Sequence, residues 1–100
     1  MSVNAGERAL REIRKEIAQV TLEIVRLCGR RLMLANRIGE VKAALGLPLE
    51  NKNVEEGLRN MILEECRLLG LSDEFGNKLL ALLINESKRL QKRILELRGG

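Results

Sequence analysis

Histidine, tryptophan and tyrosine are absent from this sequence, and phenylalanine and proline occur once each, as Phe75 and Pro48. Without histidine the usual general base and the commonest imidazole metal ligand are both missing, so any chemistry here runs without them. The near absence of aromatics removes the platforms on which nucleic-acid bases stack. Eighteen Lys+Arg against fourteen Asp+Glu give a net charge of +4, but the bases are interspersed with acids. That balance is read as attraction for a small anion or as a solvated surface, not as a nucleic-acid face. Two cysteines, Cys28 and Cys66, are too few for the disulfide framework of a small secreted domain, and no basic segment followed by an apolar stretch opens the chain. A reducing, cytoplasmic setting is therefore expected. No apolar run approaches the ~20 residues of a membrane span, so no membrane contact is expected either.

Hydrophobic residues nonetheless make up 45% of the 100 positions, and they are Leu, Ile, Val, Met and Ala, which pack well between helices. A chain of this length has room for one domain, taken as residues 1–100, and buries a thin core unless a partner subunit adds to it. Leu10, Ile13, Ile17, Val20, Ile24, Leu27, Leu34, Ile38, Val41 and Leu45 recur at alternating steps of three and four, the spacing of about five heptads of one helix. Gly46 can take a left-handed turn and Pro48 forbids continuation, so the first helix is expected over about 6–46, roughly 60 Å long. A globule of this size has a radius of gyration of only ~13 Å, so another chain must cover such a helix. A second helix is expected over 53–69, capped by Asn53 with Glu56 three residues on. A third is expected over 73–97, opened by Ser72 with Asp73 and Glu74 in its first turn. Its stripe carries Phe75, Leu79, Leu83, Leu90 and Ile94. The predicted class is all-α: a three-helix protomer with a very long first helix, in an intertwined antiparallel homodimer.

Several polar residues interrupt these stripes. Arg31 occupies the heptad slot that Ile24 and Ile38 fill on either side. A guanidinium there is either a register-fixing charge paired with an internal glutamate or a planar fork awaiting a ligand carboxylate. Lys42 follows eleven residues later, which places both on nearly one face about 16 Å apart. Together they could hold one small dianion, or Lys42 could be a solvated lysine beside the helix dipole. Ser87 and Gln91, four apart, are neighbours in line with Leu80, Ile84 and Ile94. They bond to each other or to a backbone carbonyl, or they face the same ligand as Arg31. Glu55, in the first turn of the second helix, is by itself a dipole-favoured acid.

Taken together these residues resemble the all-helical chorismate mutase family from about Arg14 to Gln91. The run R-x-x-L-A-x-x-[IV]-G-x-x-K stands here as Arg31, Leu34, Ala35, Ile38, Gly39 and Lys42. Glu55 follows, and then I-x-E-S-x-x-x-Q as Ile84, Glu86, Ser87 and Gln91, at family-like separations. The resemblance implies an isomerase that converts chorismate to prephenate in phenylalanine and tyrosine biosynthesis, with two active sites each built from both chains of a dimer. It implies that Arg31 and the partner chain's Arg14 bind the two substrate carboxylates, with Ser87 assisting. Lys42 and Gln91 donate to the ether oxygen, Glu55 takes the ring hydroxyl, and the backbone near Asn51 supports that contact. The reaction is an intramolecular Claisen rearrangement, which needs neither cofactor nor metal; the protein selects a compact conformer and sets donors where negative charge grows. Helix geometry agrees with the assignment of Arg14 to the other chain, because it precedes Lys42 by about 42 Å along one helix. An antiparallel partner crossing near residue 25 brings it beside residues 31 to 42.

Three positions depart from the family pattern. Val54 stands where an arginine is general, Asn51 where an aspartate is common, and Thr21 where an aspartate often lies. Lys52 or Arg59 could compensate for the charge missing at Val54. Two rival readings remain. One is an isochorismate pyruvate lyase, which shares the fold and similar Arg, Lys and Gln positions, although the Gly46–Leu49 run G-L-P-L looks more like the mutases. The other is a non-catalytic helical interaction protein whose heptads serve assembly alone.

Overall fold

A computed structural model describes residues 3–97, the side chain of Leu95 apart. Among them are three α-helices and no strand: α1 (Val3–Leu45), α2 (Lys52–Leu69) and α3 (Asp73–Leu97). This is the all-α arrangement that the apolar spacing predicts. None of the helices is long and apolar enough to cross a membrane. The chain divides into two units, one reaching to Arg31 and one starting at Leu32.

The first unit is the leading part of α1. Its seam residues Leu10, Ile13, Ile17, Val20, Ile24 and Leu27 are all exposed in the single chain, Ile24 by 52%, and no residue of α1 is buried. The Thr21 hydroxyl donates to the Ile17 carbonyl at 2.7 Å, the back-bond that a β-hydroxyl makes inside a helix.

The second unit contains the rest of α1 with α2 and α3. At the end of α1, Gly46 takes φ 69°. The Leu47 amide donates to the Lys42 carbonyl at 2.8 Å and that of Gly46 to Ala43 at 3.2 Å. These two bonds satisfy carbonyls that a helix end otherwise leaves open. Gly70 closes α2 in the same way, with φ 73° and bonds from Leu71 to Cys66 and from Gly70 to Arg67.

The start of α2 differs from expectation. Asn51, not Asn53, is the cap: its Oδ1 accepts from the amides of Asn53 and Val54 at 3.1 and 3.2 Å, and its backbone is extended at φ −135°, ψ 99°. Asn53 lies within the helix, and Glu56 pairs with Arg59 at 2.7 Å instead of reaching back to close a capping box. Ser72 caps α3 as expected, its hydroxyl accepting from the Phe75 amide at 3.1 Å.

The core lies where α2 meets α3. Cys66, at 4%, and Leu80, at 1% exposure, are the buried hydrophobic residues among those described. Gly76 lets the two helices close up against Cys66. A Cβ there would lie 2.9 Å from Cys66 Sγ and 3.1 Å from Ile62 Cγ2, so α3 approaches α2 as closely as a missing side chain allows. Phe75, expected on the inner stripe, stays half exposed; the neighbouring Gly76–Leu80 line, four residues apart, is the one that faces α2.

Candidate active site

The second unit carries Lys42, Asn51, Glu55, Ser87 and Gln91, and the connection between α1 and α2 ties several of them to one region. Lys42 holds this connection at two points. Its carbonyl receives the Leu47 amide, and its Nζ donates to the Leu49 carbonyl at 3.1 Å. On the opposite flank, Lys88 reaches from α3 to Glu50, Nζ to Oε1, at 2.8 Å. The connection is thus gripped by a lysine from each neighbouring helix. Asn51 follows as the α2 cap, and its carbonyl accepts from the Glu55 amide at 3.1 Å. That bond sets Glu55, partly buried, in the first turn beside the exposed Val54.

Gln91 approaches α1 at Gly39. A Cβ built on Gly39 would lie 3.3 Å from Gln91 Nε2, so the glycine gives the amide its place against the helix. Glycine inside a helix costs about 1 kcal/mol relative to alanine, and the close approach of Gln91 is what that cost accompanies. Asn36, Gly39, Glu40, Leu49, Gln91 and Ile94 are among the residues lining a cleft of about 240 Å³ at this place.

Ser87, one turn before Gln91, donates to the Leu83 carbonyl at 3.1 Å, the backbone alternative anticipated for it. Glu86 of the same motif accepts from Arg89 at 2.7 Å. Arg14 and Arg31 belong to the first unit; Arg14 is exposed and Arg31 partly buried on α1. Among the described residues no cluster of His, Cys, Asp and Glu side chains is placed to hold a metal ion.

The electrostatics of the region centre on Lys88. Its hydrogen bond and charge hold the Glu50 carboxyl below its ordinary range, with Lys52 adding to the effect. Reciprocally, Glu50 and, more weakly, Glu55 push the Lys88 ammonium upward. Arg59, one of the two residues considered as substitutes for an arginine at position 54, is engaged by Glu56.

Sequence reasoning did not find Lys88. The Lys88–Glu50 pair joins residues 38 positions apart, which no periodicity relates, and a lysine between polar neighbours on a helix carries no mark of its own. Gly39 did carry a signal: a glycine within a heptad run needs a packing reason.

Comparison with known proteins follows the same residues. Residues 13–92 match the chorismate mutase type II family. Among curated proteins, the chain is 33% identical over 87 residues to a chorismate mutase of Methanocaldococcus jannaschii, covering 87% of this chain and 88% of the relative. It is also 43% identical over 54 residues to a bifunctional chorismate mutase/prephenate dehydratase of Aquifex aeolicus, covering 54% of this chain and 15% of that protein. No solved structure matches it significantly. With four-fifths of its length inside the match, from Ile13 to Lys92, the chain belongs to the chorismate mutase type II family.

Proposed function

We propose that the working enzyme is a single-domain cytoplasmic homodimer that rearranges chorismate to prephenate in two sites, each taking Arg14 from one chain and Lys42 from the other. The observation that carries this reading is the bare seam of α1. Leu10, Ile13, Ile17, Val20, Ile24 and Leu27 each leave half or more of their surface exposed, an apolar stripe at heptad spacing that a second chain can bury. An antiparallel pairing of α1 about residue 25 covers the heptad seam and carries Arg14 to the partner's residues 31 to 42. Cys28 and Cys66, both free thiols, suit a reducing compartment.

In this site Arg31 and the partner chain's Arg14 take the two carboxylates of chorismate, with the Ser87 hydroxyl released from Leu83 to assist. Two opposed cationic anchors favour the compact conformer in which the reacting carbons approach, so part of the barrier is met on binding. Negative charge then grows on the ether oxygen as its bond to the ring breaks. Lys42 and Gln91 donate there, and their hydrogen bonds are stronger in the transition state than in the ground state. Glu55 accepts the ring hydroxyl, held in place by the Asn51 cap. All electrons move within the substrate, so no group on the protein takes or returns a proton.

Incubating the protein with chorismate and with isochorismate, and identifying the products, tests this reading. Prephenate from chorismate is expected. Pyruvate release from isochorismate as the main reaction would assign the site to lyase chemistry, and turnover of neither would leave an assembly role.

A further inference from the structure

With valine at position 54, Lys52 is the one cation in the first turn of α2, and the structure brings a second to that end of the helix from α3. Lys88 is next to Ser87 and one turn ahead of Gln91 on α3. Its ammonium crosses to the start of α2, where it meets Glu50 at 2.8 Å and lies within the field of Glu55. Val54 precedes Glu55 in that same turn, with 65% of its surface exposed. The other nearby cations are placed differently: Arg59 is held by Glu56, Lys42 by the Leu49 carbonyl, and Lys52 acts on Glu50 from the first residue of α2.

Resting on the reading of this site as a chorismate mutase, we propose that Lys88 is a substrate-binding residue whose ammonium leaves Glu50 to pair with a carboxylate of the bound dicarboxylate, supplying the positive charge that Val54 cannot.

Three features support the exchange. The Lys88–Glu50 pair is half exposed, at 49% and 59%; ion pairs so open to solvent are weak, so little holds the lysine back. Glu50 is not left bare when Lys88 departs, because Lys52 also acts on it. Finally, Glu50 and Glu55 place two carboxylates at the α2 N-terminus, which would repel a dianionic ligand unless a cation stands between them. A mobile lysine that neutralises these acids in the empty protein and turns to the ligand in the complex serves both states.

Steady-state kinetics with chorismate on wild type, K88M, K88R, E50Q and the double variant V54R/K88M test the proposal. K88M should raise KM roughly ten-fold, the value of one charge-assisted bond, with kcat within about two-fold because ground state and transition state lose it equally. K88R and V54R/K88M should recover most of the lost affinity. E50Q should leave KM unchanged or lower it, since it removes the anion that competes for Lys88. A wild-type KM in K88M would overturn the proposal. So would an increase in KM with E50Q as large as that with K88M, because the pair would then only clasp the connection between α1 and α2. Failure of the wild-type chain to convert chorismate would instead refute the mutase reading, independently of Lys88.

Discussion

Replacing Ile24 with alanine separates a helix seam from a solvated helix face. In the single chain Ile24 is 52% exposed, and a substitution at so open a site ordinarily changes stability by no more than about 0.5 kcal/mol. In the proposed antiparallel dimer it would lie beside the crossing near residue 25 and pack against the partner helix. A buried isoleucine cut back to alanine costs about 2–5 kcal/mol, and each dimer carries two copies, so the loss is on the order of 4–10 kcal/mol per dimer. For a two-chain unit with a urea m-value of about 2–3 kcal/mol/M, the midpoint should fall by on the order of 2 M, or the folded state should disappear. The assay is urea unfolding followed by far-UV circular dichroism at several protein concentrations. Wild type should lose about 1.4 kcal/mol of stability for each ten-fold dilution, since unfolding and dissociation occur together. A concentration-independent midpoint, unchanged in Ile24→Ala, would refute the reasoning.

Lys42→Ala should lower kcat about 10²-fold or more by removing a donor aimed at transition-state charge, with near-normal turnover assigning the lysine only to its bond with Leu49. Gln91→Glu should work only at acidic pH, because a carboxyl donates a hydrogen bond to the ether oxygen only when protonated; a flat profile from about pH 5 to 8 would remove Gln91 from that contact. Gly76→Ala should destabilise the protein by about 1–3 kcal/mol, since the new methyl would sit 2.9 Å from Cys66 Sγ; an unchanged thermal midpoint would show that α2 and α3 can part without cost.

The helices were largely legible because their signals are local. The heptad spacing of α1, with Gly46 and Pro48 after it, announces the helix and its end, and the φ of 69° at Gly46 is the predicted left-handed turn. Ser72 declared the start of α3 for the same reason. At α2 two asparagines competed. Asn53 has Glu56 at the capping-box spacing, but backbone already extended at Asn51 lets its carboxamide reach two amides first. The core contact of Gly76 with Cys66 was not legible, because glycine in a helical pattern reveals a cost and not the partner behind it. In the site, the motif pointed to Lys42 and Gln91, but the Leu49 carbonyl that holds Lys42 and the reach of Lys88 to Glu50 depend on the path of the chain from 46 to 51. No residue spacing encodes that path.

The shared site is the central claim, and mixed dimers test it most directly. Arg14→Ala and Lys42→Ala homodimers should each be nearly inactive, because every site lacks one group. When the two variants are unfolded together and refolded in equal amounts, roughly half of the dimers are mixed, and each mixed dimer carries one site with both changes and one with neither. Chorismate turnover should therefore recover to roughly a quarter of the wild-type value. No recovery, with subunit exchange verified by a mass tag on one variant, would contradict the account by showing that Arg14 serves its own chain's site or none.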